Sequence, residues 1–110
     1  MDEYYQGALI EFTFKYKVSG VYVDPATLIA YIVKGKVPVH KFKKSGTTPY
    51  IAWTVVDSVT GKITITAAQS AVLAPGIYGI EIYDDVSSVK VGAAENAFKI
   101  LPSSIKSESL

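Results

Sequence analysis

The chain has 110 residues, 49% of them apolar and 19% charged, with 11 Lys set against 10 Asp plus Glu. That describes one globular domain with enough surface to bury for a single core. A net charge of +1 with no Arg and no Cys excludes a general electrostatic pull on nucleic acid, forked recognition of phosphate or guanine, disulfides, thiolate chemistry and Cys-held metals. Val, Ile, Thr, Tyr, Phe and Trp together make 45 residues, whereas Leu makes five. Such a balance of β-branched and aromatic types predicts an all-β fold.

Residues 1–7 read as a polar leader. Their acidic start, with no apolar run behind a basic end, is not a secretory signal. From Ile10 to Val18 the chain alternates strictly. Ile10, Phe12, Phe14, Tyr16 and Val18 fall on one face and Glu11, Thr13, Lys15 and Lys17 on the other, as in a half-buried strand. Ser19-Gly20 breaks it, and Val21–Val23 is a short extended piece ended by Asp24-Pro25. Thr27–Val33 is continuously apolar and predicts a central strand covered on both faces.

Val37–Lys44 reads as an edge strand guarded by lysines, and Ser45–Pro49 as a loop. Tyr50–Val56 is the next strand, with Ile51, Trp53 and Val55 on one face. Asp57–Gly61 is a turn and Lys62–Thr66 a strand. Ala67–Ala74 suits one helical turn stopped by Pro75-Gly76. Ile77–Tyr83 is a strand with Tyr78, Ile80 and Ile82 on one face. Val89–Val91 and Ala97–Leu101 make the last ribbon around a bulge or wide loop at 92–96.

Seven or eight short strands with turns about every ten residues predict an immunoglobulin-like antiparallel β-sandwich over residues 1–101, with a small barrel as the alternative. Residues 102–110 read as a polar C-terminal tail. The uncharged stretch 63–80 carries Thr64, Thr66, Gln69, Pro75, Gly76 and Gly79, and is no membrane span. A mean hydropathy of +0.26 calls for a dense core, a buried subunit contact, or both.

The chemistry-bearing residues are sparse. His40 is the only histidine and sits among lysines, which predicts a solvated surface side chain rather than a triad member or metal ligand. Lys34, Lys36, Lys41, Lys43 and Lys44 form a cluster fitted for edge protection or for an acidic partner. Glu81, Asp84 and Asp85 form a small acidic group; a calcium site needs about six oxygens, and the two adjacent Asp read as hairpin turn formers instead. Tyr16, Tyr31 and Tyr78 are expected in the core with Trp53. Tyr4, Tyr5, Tyr22 and Tyr50 are expected near the surface, where tyrosine serves protein contacts and sugar stacking. Gly20, Gly46, Gly61 and Gly76 read as turn glycines. No catalytic constellation and no cofactor site emerge, so enzyme activity is not expected.

Four segments occur in a telling order: Phe12-Thr13-Phe14-Lys15-Tyr16, Val23-Asp24-Pro25-Ala26-Thr27-Leu28-Ile29-Ala30-Tyr31-Ile32-Val33, Leu73-Ala74-Pro75-Gly76-Ile77-Tyr78-Gly79-Ile80-Glu81-Ile82-Tyr83 and Asn96-Ala97-Phe98-Lys99-Ile100. Together they resemble the immunoglobulin-like N-terminal domain of the tailed-phage baseplate upper protein family and related tail-fibre proteins. The chain departs from that pattern at Asp24-Pro25-Ala26-Thr27, where the family's Leu is absent. The resemblance implies a non-catalytic structural module of the virion, assembled in the host cytoplasm. Its partners would be other protein subunits, as a homo- or hetero-oligomer, with no specific nucleic acid. On that reading Tyr22, Tyr50, Lys36, Lys41, Lys43 and Lys44 would carry the contact. A carbohydrate- or cell-surface-binding module using exposed tyrosines is the alternative.

Overall fold

The computed structural model describes residues 1–47 and 49–102; Thr48 of the expected loop and residues 103–110 of the expected tail lie outside them. The chain is mostly strand. In order it forms β1 (Asp2–Tyr5), β2 (Ile10–Val18), β3 (Val21–Val23), β4 (Leu28–Lys34), β5 (Val37–Lys43), β6 (Ile51–Ala52), β7 (Thr54–Asp57) and β8 (Thr60–Ile65). The helical turn α1 (Ala67–Ala71) and the strands β9 (Gly76–Asp84) and β10 (Val89–Leu101) follow. One sheet runs β1-β10-β9-β4-β5-β6 and the other β3-β2-β8-β7. The all-β expectation holds.

Side-chain alternation sets the core between the sheets. Phe12 and Phe14 of β2 pack against Ile63 and Ile65 of β8 on one side and Tyr78, Ile80, Ile82, Phe98 and Ile100 of β9 and β10 on the other. β4 lies between β9 and β5, so Ala30 and Ile32 enter this core. Ile29 and Val33, on its opposite face, are also buried, beneath the outer side chains of the same sheet. The continuous apolar run is explained by that double covering. The β2–β3 hairpin turns at Ser19 and Gly20, both at positive φ, the geometry that suits right-twisted strands.

Three expectations are corrected, and the open alternative at 92–96 is decided. Residues 1–7 are not merely a leader, because Asp2–Tyr5 pairs in parallel with Phe98–Leu101. Backbone bonding holds this strand, with Tyr4 edge-on to Phe98 as its one core anchor. Tyr50–Val56 is not a single strand. Ile51–Ala52 pairs with β5, Thr54–Asp57 pairs with β8, and buried Trp53 marks the crossing between sheets. Val55 consequently faces solvent instead of sharing Trp53's environment. The last ribbon is one strand, with register shifts at Lys90/Gly92 and Ala94/Phe98, so the bulge alternative describes 92–96. Gly61 lies inside β8 and is not a turn glycine.

α1 closes one end. Thr66 and Gln69 form a reciprocal capping box. Fully buried Ser70 accepts a hydrogen bond from the Gly7 N–H at 3.1 Å and donates to the Ala8 carbonyl at 2.6 Å. Gln6 Nε2 donates to the Leu73 carbonyl at 2.8 Å. The helix is thereby tied to the β1–β2 corner. Ser70→Ala strips the partner from two backbone groups and should cost about 1–3 kcal/mol, read as a lower urea midpoint at unchanged slope.

Candidate functional site

The residues that could meet a partner collect on the outer face of the six-stranded sheet. Strand register builds that face in rows. Lys43, Ile29, Tyr83 and Lys90 align across β5, β4, β9 and β10, and Lys41, Tyr31, Glu81 and Ala93 form the next row. Tyr31 and Tyr83 meet edge to face with centroids 5.6 Å apart. The Tyr83 hydroxyl donates to Glu81 Oε1 at 3.1 Å, and Lys90 Nζ lies 3.7 Å from Glu81 Oε2 and 5.7 Å above the Tyr83 ring. Burial, and then contact with Tyr50, pushes the Tyr31 phenol above its ordinary range.

Two adjoining depressions cut this face, of about 470 and 390 Å³. They share Val33, Lys36 and Glu81. Tyr31, Lys41 and Tyr83 line the smaller, and Lys90, Glu95 and Asn96 rim the larger. Gly79 contributes no side chain to the floor of the larger one, and the β10 bulge places Asn96 at positive φ on its rim.

Five of the six expected contact residues come to this side of the molecule. Lys36 sits in the β4–β5 turn and Lys41 on the sheet. Lys43 Nζ stands 4.6 Å from the Tyr50 ring centre and 3.3 Å from Asp85 Oδ2. Lys44 lines a neighbouring hollow with Asp85. Tyr22 stands apart, on β3 at the edge of the other sheet, with Lys15 and Lys17 over its ring at 5.2 and 4.8 Å. Lys34 also leaves the cluster: its amine donates to the Pro75 carbonyl at 3.2 Å, over the Tyr78 ring.

The acidic trio is dispersed among separate partners. Glu81 takes Tyr83 and Lys90, and Asp85 takes Lys43. Asp84 accepts from the Val86 N–H at 3.0 Å and the Tyr16 hydroxyl at 3.2 Å, linking the two sheets. The Val86 bond chiefly holds its carboxyl below the usual range. Among the described residues, no three His, Asp or Glu side chains are grouped to hold a metal.

The sequence does not mark Tyr31 or Tyr83 as surface residues, and it marks Glu81 only as one of the acidic group. Glu81 and Tyr83 fall opposite Tyr78, Ile80 and Ile82 by simple alternation, so the pattern held that signal. Tyr31 lies in a run apolar on both faces, where alternation gives none. It is half-buried on the outer face rather than in the core.

His40 also departs from expectation. It shares a face with Phe42 and pairs with Ile32, so it turns inward and is half-buried. Its Nε2 is shielded from solvent and has no hydrogen-bond partner among the described residues. Burial pushes the imidazole below its ordinary value, with the Gln69 backbone carbonyl opposing. The folded chain therefore binds a proton on His40 less readily than the unfolded chain. This penalty is absent well above pH 6.5 and grows as pH falls from about 6.5 through the folded value. Urea midpoints should drop between pH 7.5 and 5, and His40→Leu should remove most of that drop.

Among the described residues no helix is long and apolar enough to cross a membrane. Comparison of the chain with known family models, with curated proteins and with solved structures gives no match.

Proposed function

We propose that the chain is a non-catalytic assembly module, an immunoglobulin-like sandwich serving as a structural component of a phage baseplate or tail. The observation that carries this reading is the outer face of the six-stranded sheet, where Tyr31, Tyr83, Lys36, Lys41 and Glu81 stand together around open depressions. Tyrosine interleaved with charge suits a protein interface: the rings supply apolar area at low entropy cost and the charges set register. The fold reading is supported by strand order. β10-β9-β4-β5 and β2-β8-β7 follow the two-sheet order of variable-type immunoglobulin domains. The Tyr78 hydroxyl donates to the Ala74 carbonyl at 2.5 Å, four residues upstream at the start of its strand, in the manner of a tyrosine corner.

A carbohydrate-binding module is the second reading, favoured by the same two depressions with Glu81 and two tyrosines on their walls. Solution mass by light scattering over a concentration series separates the two. A stable oligomer that Tyr31→Ala/Tyr83→Ala dissociates supports assembly through this face. An oligomer indifferent to that double variant moves the contact elsewhere. A monomer that binds sugars on a glycan array, and loses them in the double variant, replaces the assembly reading with the second.

A further inference from the structure

One long strand edge stands open beside this face. β1 covers β10 only at Phe98–Leu101. From Val89 to Ala97 the same side of β10 has no neighbouring strand among the described residues. Val86, Val89 and Val91 on or next to this edge are 81%, 55% and 39% exposed. Behind it the sheets part, because β3 covers β2 only at Tyr16–Val18. The gap is an apolar cleft of about 210 Å³, lined by Phe12, Phe14, Ile63, Ile80, Ile82 and Ala93. Unpaired backbone next to exposed apolar side chains is a template for another strand.

Three of the other edges, on β5, β3 and β7, are guarded, while β1 and the side of β2 away from β8 at residues 10–15 also lack an outer neighbour among the described residues. β5 carries Pro38 and a register shift, and β6 covers its end. β3 has three residues, and β7 has four with a register shift before Asp57. The β10 edge instead carries opposite charges on either side of three small residues: Lys90, then Gly92, Ala93 and Ala94 after Val91, then Glu95. Lys90, Ala93 and Glu95 line the same depression and so share the outer face.

This arrangement is self-complementary. In a two-fold antiparallel pairing, residues of like pleat must meet, so the axis passes through a residue paired with its own copy. An axis at Ala93 sets Gly92 against the Ala94 backbone, and Glu95 against the partner's Lys90–Gly92 bulge. Each copy's Glu95 then faces the other's Lys90, twice by symmetry. Neither Gly92 nor Ala93 obstructs the close approach at the centre.

We propose that the chain forms a two-fold dimer by antiparallel pairing of its β10 edges, joining two six-stranded sheets into one. This rests on the assembly reading and names the partner at the edge of that face as a second copy. The ladder is short, so dimerisation depends on concentration.

The test is sedimentation and light scattering of the full chain from about 1 μM to 1 mM, a range that spans weak to moderate association. Wild type should pass from monomer to dimer, and amide exchange at residues 91–94 should slow as it does. Glu95→Lys places lysine against lysine at both symmetric contacts and should weaken the dimer about tenfold or more. Lys90→Glu should do the same, with its monomer's thermal unfolding measured alongside because it also loses Glu81. The double variant Lys90→Glu/Glu95→Lys should restore the affinity to within about threefold of wild type. A monomer throughout, a dimer indifferent to Glu95→Lys, or no rescue by the double variant overturns the pairing. Those outcomes leave assembly through the outer face to the Tyr31→Ala/Tyr83→Ala variant, which keeps Lys90 and Glu95 and the Lys90–Glu81 pair while removing the ring under Lys90.

Discussion

Phe98→Ala should remove about 3–5 kcal/mol of stability, the usual cost of emptying a buried phenylalanine site. Phe98 is fully buried where both sheets and the N-terminal strand converge. Its ring stacks on Tyr78 at 5.4 Å, packs against Phe12 at 5.3 Å, and takes the edge of Tyr4 at 6.2 Å. Truncation therefore loosens β9, β2 and β1 together. These partners sit on different strands, so the site cannot collapse by shifting one element. Against a net stability of roughly 5–15 kcal/mol for a domain, the loss is a large fraction. Urea unfolding at fixed pH measures it. Phe98→Leu, which keeps part of the volume, should fall between the two. A loss below about 1 kcal/mol would mean that this aromatic cluster is not the core of the folded chain.

The same cluster shows why parts of the fold were legible in advance. β2, β4 and β9 each bury a regular face, so their period of two, or the absence of one in doubly covered β4, is written in the side chains. β1 was missed because its hold is parallel backbone pairing, which leaves no pattern, plus the single ring of Tyr4. The crossing at Trp53 was missed for the opposite reason. Ile51, Trp53 and Val55 keep a strand's alternation while the chain changes sheets, so local pattern and tertiary path disagree. His40 was misread from its lysine neighbours, although Phe42 two residues on already marked an inward face. The lysines of the outer surface were visible as a cluster. What they surround was not, since placing Tyr31 beside Tyr83 and Glu81 depends on the pairing of β4 with β9, a non-local fact.

Gly61→Ala carries the other large expected effect, and it arises at one of those sheet junctions. Gly61 pairs with Phe14 on one side and Val55 on the other, at an ordinary strand φ, so backbone strain is not the issue. An added Cβ would lie 2.5 Å from Phe14 Cζ and 2.8 Å from Trp53 Cε3. Those two rings meet edge to face at 5.1 Å, and Trp53 is buried where the chain crosses between sheets. Neither ring can yield without disturbing that crossing. Overpacking of this kind costs about 1–3 kcal/mol. At roughly 4–8 °C per kcal/mol for a domain near this size, the melting temperature should fall clearly. Trp53 is the only tryptophan, so its fluorescence reports the displaced ring directly. Gly92→Ala, whose Cβ would meet only Ile82 at 3.9 Å, is the control and should change stability by no more than about 0.5 kcal/mol. Adding Phe14→Leu to Gly61→Ala should cost less than the sum of the two single changes, because the smaller side chain makes room for the new methyl. Strict additivity would show that Phe14 does not press on residue 61, and that the strain is borne by Trp53 alone.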